Sequence, residues 1–134
     1  MTDGIGFGPR ILLVEDEPAN RALVRAIVAR TDRAELGEIV LHEAATIAEA
    51  RTVLANHPVD IVLVDVRLPD GNGLDLATEL RGHPGAGSTK IVIVSASVLP
   101  VERTSALATG ADAFLAKPFD PKDLVELIVR LANS

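Results

Sequence analysis

Apolar positions along this chain follow two alternating rhythms. The first is a set of short runs: Ile11-Leu12-Leu13-Val14, Val59 to Val64 interrupted only by Asp60, Ile91-Val92-Ile93-Val94, and Ala113-Phe114-Leu115-Ala116. Runs this short and this apolar predict strands buried on both faces. Ile39 to Leu41 is a weaker run, expected at a sheet edge. The second rhythm has helical spacing. Pro18 suits a first helical turn, where a missing N–H costs nothing, and Leu23, Val24, Ile27 and Val28 supply the buried side of that helix. Thr46-Ile47-Ala48-Glu49 has the form of a capping box and opens a second helix through Ala50, Val53 and Leu54, ended by His57-Pro58. Pro69-Asp70-Gly71-Asn72-Gly73 is a loop by composition. A third helix carries Leu76 and Leu80 and ends before Gly82-His83-Pro84-Gly85; a fourth starts near Pro100, carries Ala106 and Leu107, and stops at Gly110. Asp120-Pro121 caps and starts the last helix, with Leu124, Leu127, Ile128 and Leu131 on one face.

Strand and helix thus alternate five times from Arg10, which predicts an α/β fold with a parallel sheet and helices on both faces. Residues 1–9 read as a flexible N-terminal tail and residues 10–134 as one domain. The tail's Gly4-Ile5-Gly6-Phe7-Gly8 is no dinucleotide fingerprint, because the glycines would need a strand before them. In a parallel sheet every strand ends along one edge, and that edge is where open α/β sheets bind ligands. Four of the runs stop at a residue with chemistry to offer: Glu15 and Asp16, Asp65, Ser95, and Lys117.

Composition narrows the picture. Hydrophobic residues make up 48% of 134, yet the chain has no Trp, no Tyr and three Phe, so the core is aliphatic. Phe114 and Phe119, the aromatics inside the predicted domain, flank Lys117. A net charge of −6 argues against a nucleic-acid surface, which needs clustered Lys and Arg. The absence of Cys rules out disulfide and thiol chemistry. No run approaches the roughly 20 apolar residues of a membrane span, and the first ten residues lack the apolar stretch of a signal peptide. A soluble, cytoplasmic protein is expected.

Glu15, Asp16 and Asp65 brought to one cleft would repel each other. A hard divalent cation relieves that repulsion, and Mg²⁺ takes one or two carboxylates together with waters. An ammonium from Lys117 opposite a metal and a carboxylate is what phosphoryl transfer needs, because charge develops on the transferred oxygens. Ser95 adds a donor. Asp65 is the candidate nucleophile, since a carboxylate can attack phosphorus to give an acyl phosphate. His42, His57 and His83 have neither metal-ligand spacing nor places at these strand ends, and are expected at the surface or at helix ends.

Four segments carry a family resemblance: Leu-Val-Glu-Asp-Glu-Pro (13–18), Val-Asp-Val-Arg-Leu-Pro-Asp-Gly-Asn-Gly (64–73), Val-Ser-Ala (94–96) and Leu-Ala-Lys-Pro-Phe (115–119). In this order and at this spacing, the chain from Arg10 to Ala132 resembles the receiver domain of bacterial two-component response regulators. The resemblance implies a flavodoxin-like (βα)5 doubly wound sandwich with strand order 2-1-3-4-5. It implies Asp65 as phosphoacceptor, with Mg²⁺ held by Glu15, Asp16, Asp65 and the backbone carbonyl of Arg67. Ser95 and Lys117 would bind phosphoryl oxygens, and Lys117-Pro118 would be cis. Phe114 would be an aromatic switch that turns inward as Ser95 moves toward the phosphate.

Arg67 is bulkier than the residue relatives often carry there, and Ser97 occupies a second variable position; Arg67 is expected to alter the lifetime of the phosphate. The implied partners are a sensor histidine kinase or a histidine phosphotransfer protein. The implied output is a homodimer or effector contact on the helix after strand four, strand five and the last helix, where Val125, Val129 and Ala132 extend the apolar side, either packing at the core margin or offering a partner contact. The protein is then a signalling phosphoacceptor that catalyses its own phosphorylation and dephosphorylation, without direct nucleic-acid or membrane contact. As a natural chain it would be a single-domain regulator; as an excised piece, part of a transcription factor or hybrid kinase. Two other readings compete. An aspartate-nucleophile phosphohydrolase of the haloacid dehalogenase type needs an acid two residues after the nucleophile, where this chain has Arg67. A phosphorylation-independent receiver-like binding module has no reason to gather repelling acids.

Overall fold

A computed structural model describes residues 7–32, 36–82, 88–96 and 99–133. The elements run β1 (Phe7–Val14), α1 (Pro18–Arg30), β2 (Glu38–Ala44), α2 (Ile47–Asn56), β3 (Ile61–Asp65), α3 (Gly73–Arg81), β4 (Lys90–Ser95), α4 (Pro100–Ala108), β5 (Ala113–Ala116) and α5 (Pro121–Ala132). All strands of the sheet are parallel, in the order β2-β1-β3-β4-β5. This is the flavodoxin-like 2-1-3-4-5 arrangement.

The unbroken apolar runs are explained by two cores, one on each face of the sheet. Successive strand side chains point to opposite faces. Leu12, Val14, Val62, Val64, Ile91 and Ile93 pack with residues of α2, α3 and α4. Ile11, Leu13, Ile61, Leu63, Val92 and Val94 pack with α1 and α5. Neither set faces water, so neither alternates with polar residues. β2 lies at the edge, as its weaker run predicts, and most of its residues are half-buried.

The helices start where their caps say they should. The Thr46 side chain accepts from Glu49 N at 3.0 Å, and Glu49 Oε1 accepts from Ala45 N at 2.8 Å. Asn72 and Asp120 accept from Leu74 N and Lys122 N at the starts of α3 and α5.

Several local expectations need correction. β1 begins at Phe7, so residues 7–9, expected in the tail, belong to the strand; residues 1–6 of the glycine-rich leader lie outside the described residues. Gly8 is not a flexible-tail glycine: a Cβ there would collide with the carbonyl oxygen of Leu36. Leu23, expected in the core, is 44% exposed, and Val24 and Ile27 alone of that set are buried. The loop after β3 folds into a small antiparallel ladder pairing Arg67 with Asn72 and Leu68 with Gly71.

Candidate functional site

The sheet's pairing continues into the site and fixes its backbone. Glu15 N donates to Ala44 O at 2.9 Å, Val66 N to Val94 O at 3.2 Å, and Lys117 N to Ser95 O at 2.8 Å. Glu15, Asp65 and Lys117 are therefore each held by the ladder of a neighbouring strand. Gly73 closes the loop after β3. Its N–H donates to Val66 O at 2.8 Å, and a Cβ would collide with the carbonyl oxygen of Asp65, so only glycine fits beneath the strand end.

The side chains converge across the ends of β1, β3 and β5. Lys117 Nζ donates to Glu15 Oε1 at 2.6 Å and to Asp65 Oδ2 at 2.8 Å. The other oxygen of Glu15 accepts from Glu17 N at 3.1 Å, and Asp65 Oδ1 accepts from Arg67 N at 3.3 Å. Glu15, Asp16 and Asp65 each offer a carboxylate oxygen, and these all lie within 4.8 Å of one another. The side chains of Glu15, Asp65 and Lys117 are 4%, 13% and 18% exposed, so water screens their charges little.

Burial pushes the Glu15 carboxyl above the ordinary glutamate range, because losing water outweighs its hydrogen bonds to Lys117 and Glu17. Lys117 is also raised, for the opposite reason. Burial pulls it down, but hydrogen bonds to Asp65 and Glu15 overcome that and hold it firmly charged. Three carboxylates gathered around one ammonium would, with every group charged, leave a surplus of two negative charges. A divalent cation would balance that surplus, and clustered hard oxygens are the donor type that Mg²⁺ takes.

The structure brings together Glu15, Asp16, Asp65 and Lys117, and puts Ser95 at the end of β4, where Asp65 is in register with Val94 and Ser95 with Ala116. Ser95 is 7% exposed. The Lys117-Pro118 peptide is cis. Phe114 is half-buried under the Arg103 guanidinium, 5.3 Å from the ring centroid. An open pocket of about 450 Å³ between the loop after β3 and α4 is lined by Arg67, Ser95, Glu102, Ser105 and Phe114 among others. Arg67 is exposed. Ser97 and His83 lie outside the described residues. His42 on β2 and His57 at the end of α2 stack on one another at 4.5 Å, away from the acids.

Two contributors had no signal in the sequence. Asp70 reaches from the small ladder to the start of α2, accepting from Ile47 N at 2.9 Å and Ala48 N at 3.0 Å, which ties the loop after β3 to a helix N-terminus. Arg103 covers the Phe114 ring. Both contacts span elements distant in the chain, so neither follows from local spacing.

Fold and site together define a doubly wound α/β domain with an acid-rich, lysine-bridged cleft at its ligand-binding edge. Sequence comparison makes the class particular: a model of the response regulator receiver domain family matches residues 11–129, and the chain belongs to that family. It is 33% identical over 124 residues to the transcriptional regulatory protein AruR of Pseudomonas aeruginosa, spanning 87% of this chain and 46% of AruR. It is 35% identical over 120 residues to the response regulator Rre1 of Synechocystis, spanning 90% of this chain and 49% of Rre1. The chain thus spans about half the length of these relatives. The receiver domain of the sensor histidine kinase PA1611 from Pseudomonas aeruginosa, solved with magnesium coordinated in its active-site cleft, superposes with a TM-score of 0.81 at 28% identity, covering 95% of this chain and 99% of that one. The chemotaxis response regulator CheY4 of Vibrio cholerae superposes with a TM-score of 0.82 at 22% identity, covering 92% of this chain and 98% of that one, a likeness of fold alone. Among the described residues no helix is long and apolar enough to cross a membrane.

Proposed function

We propose that this receiver accepts a phosphoryl group on Asp65 from the phosphohistidine of a sensor histidine kinase or histidine phosphotransfer protein, in a Mg²⁺-dependent step. One observation carries the reading: Lys117 bridges Glu15 and Asp65 at 2.6 and 2.8 Å while Asp16 completes an acid cluster with charge to spare. The magnesium in the cleft of the related kinase receiver supports it.

Glu15, Asp16 and Asp65 would hold the ion, with the Arg67 carbonyl as a further ligand. When bound, Mg²⁺ neutralises charge on the phosphoryl oxygens. The chain's own residues do the rest. A carboxylate oxygen of Asp65 attacks phosphorus, the phosphorus–nitrogen bond of the donor breaks, and an acyl phosphate forms. Lys117 leaves Asp65 for a phosphoryl oxygen, and the Ser95 hydroxyl donates to another. Water later attacks the phosphorus, releasing orthophosphate and restoring the carboxylate. Arg67, exposed two residues past Asp65 and lining one pocket with Ser95, would flank the path of that water and alter the lifetime; Arg67→Ala should change the decay rate, and an unaltered decay would discard this role.

A phosphoryl group acts by favouring one of two conformations of the domain. Phe114 and Ser95 both line the pocket below α4, which leaves the ring somewhere to turn. The responding face is α4, β5 and α5. Its exposed apolar residues sit on α4 and its cap, where Leu99, Val101 and Leu107 are 56%, 69% and 49% exposed. Val125 and Val129 of α5 pack against the core instead. The net charge of −6 works against contact with nucleic-acid phosphates, so the output of this domain is a protein contact, a second copy or an effector, in the cytoplasm.

The test is incubation with Mg²⁺ and acetyl phosphate followed by intact mass. A single phosphoryl adduct, lost with excess chelator and absent in Asp65→Ala, is expected; an adduct surviving in Asp65→Ala would defeat the reading.

A further inference from the structure

Arg21, in the first turn of α1, makes contacts that local helix formation does not require. Its guanidinium donates from one terminal nitrogen to the backbone carbonyls of Glu15 at 2.9 Å and Asp16 at 3.0 Å. Its Nε lies 3.7 Å from Glu43 Oε1. Glu43 is gripped from the other side by Arg25, through a two-pronged contact at 2.8 and 2.7 Å. Glu43 belongs to β2, next to Ala44, whose carbonyl accepts from Glu15 N. The turn after β1 is therefore held on two sides, by the β2 ladder through the N–H of Glu15 and by Arg21 through the carbonyls of Glu15 and Asp16.

We propose that Arg21 is a positioning residue that fixes the Glu15–Asp16 pair for a divalent cation by holding both of their main-chain carbonyls. This inference rests on the reading that these acids and Asp65 take Mg²⁺. The physical case has two parts. Neighbouring carboxylates repel, and a turn free to relax would separate them, so bringing them together for an ion needs an outside constraint. Carbonyls occupied by a guanidinium cannot compete for the cation, which leaves the side-chain oxygens to bind it. Groups that orient metal ligands in this way matter to affinity as much as to shape. Arg21 is 22% exposed and Glu43 25%, so these contacts are shielded enough to hold their geometry. The guanidinium charge itself disfavours a nearby cation, and Glu43, shared with Arg25, offsets it only in part. The sign of the effect therefore decides between bracing and simple repulsion.

The experiment is Mg²⁺ titration of the full chain by isothermal calorimetry, alongside melting in chelator and acetyl phosphate reactions across Mg²⁺ concentrations. Arg21→Ala is expected to weaken Mg²⁺ binding by about tenfold, within the range found for residues that orient metal ligands. The reaction at saturating Mg²⁺ should return to near the parent rate. Arg21→Lys, whose ammonium can still donate to both carbonyls, should recover most of the affinity, and Glu43→Gln should weaken binding less than Arg21→Ala. Unchanged or tighter Mg²⁺ binding in Arg21→Ala, with or without a lower melting temperature, would overturn the proposal. If Arg21→Ala does not fold, Glu43→Gln decides it: Mg²⁺ affinity at or above the parent's in that variant overturns it. A parent chain that binds no Mg²⁺ overturns the underlying reading as well, which separates the two failures.

Discussion

The strands β1 and β3 lie side by side and carry an ionic contact at each end, and the two contacts are built on opposite terms. At the amino end, Arg10 meets Asp60 one to one. Nε and a terminal nitrogen of Arg10 donate to the two oxygens of Asp60 at 2.9 Å each, and Arg10 N adds a third bond at 2.8 Å. Those side chains are 45% and 40% exposed. At the carboxyl end, Lys117 is shared between Glu15 and Asp65, these three are largely withdrawn from water, and Asp16 stands beside them on the more exposed side. The first contact is complete and needs nothing further. The second sets three carboxylates against one ammonium, a donor set of the kind a divalent cation takes.

That contrast is broken most severely at Lys117. Lys117→Met should lower the rate of adduct formation with acetyl phosphate by about 10²–10³-fold, the usual loss when one donor to developing charge is removed. Loss of less than tenfold would mean the bridge is structural only. The next effect is on stability. Mg²⁺ at about one hundred times its dissociation constant should raise unfolding free energy by about 2.7 kcal/mol, read as a higher melting temperature. Asp60→Asn should leave that increment untouched, while Asp16→Asn should shrink it.

The smallest effect belongs to the amino end. A double-mutant cycle on Arg10 and Asp60 should give about 0.2–1 kcal/mol, less at high salt, because water screens a pair this exposed. Its pH dependence has a definite sign. The hydrogen bond from Arg10 holds the Asp60 carboxyl below the usual aspartate range. Its contribution is therefore full above the unfolded carboxyl's pKa and disappears as pH falls through the depressed folded value. Equilibrium unfolding of the parent and Asp60→Asn at neutral and acidic pH reads this directly; a gap between them that widens as pH falls would contradict it.

Most of the fold was legible because each strand run is apolar without interruption, and only a sheet covered on both faces explains four such runs. The acids and Lys117 were legible because a strand end is a fixed place: the backbone alone puts a residue there at the ligand edge. What escaped lies where sequence spacing and surroundings part company. Leu23 has helical spacing to Ile27 but sits one position off the buried stripe, beside the groove between α1 and α5. Gly8 resembles a tail glycine until Leu36 is seen against it. Arg21 and Asp70 act through main-chain partners that leave no residue-type signature. Val125 and Val129 of α5 pack at the core margin, one of the two readings the sequence allowed, while Val101 and Leu107 of α4 are exposed.

The central claim is that Asp65 is the atom-bearing acceptor. Treating the chain with acetyl phosphate and Mg²⁺, reducing the acyl phosphate with borohydride, and mapping peptides by mass tests it directly. Homoserine at position 65 and at no other carboxylate is the predicted result. Homoserine at position 16 or 5-hydroxynorvaline at position 15 instead, or phosphate recovered on a histidine, would contradict the account.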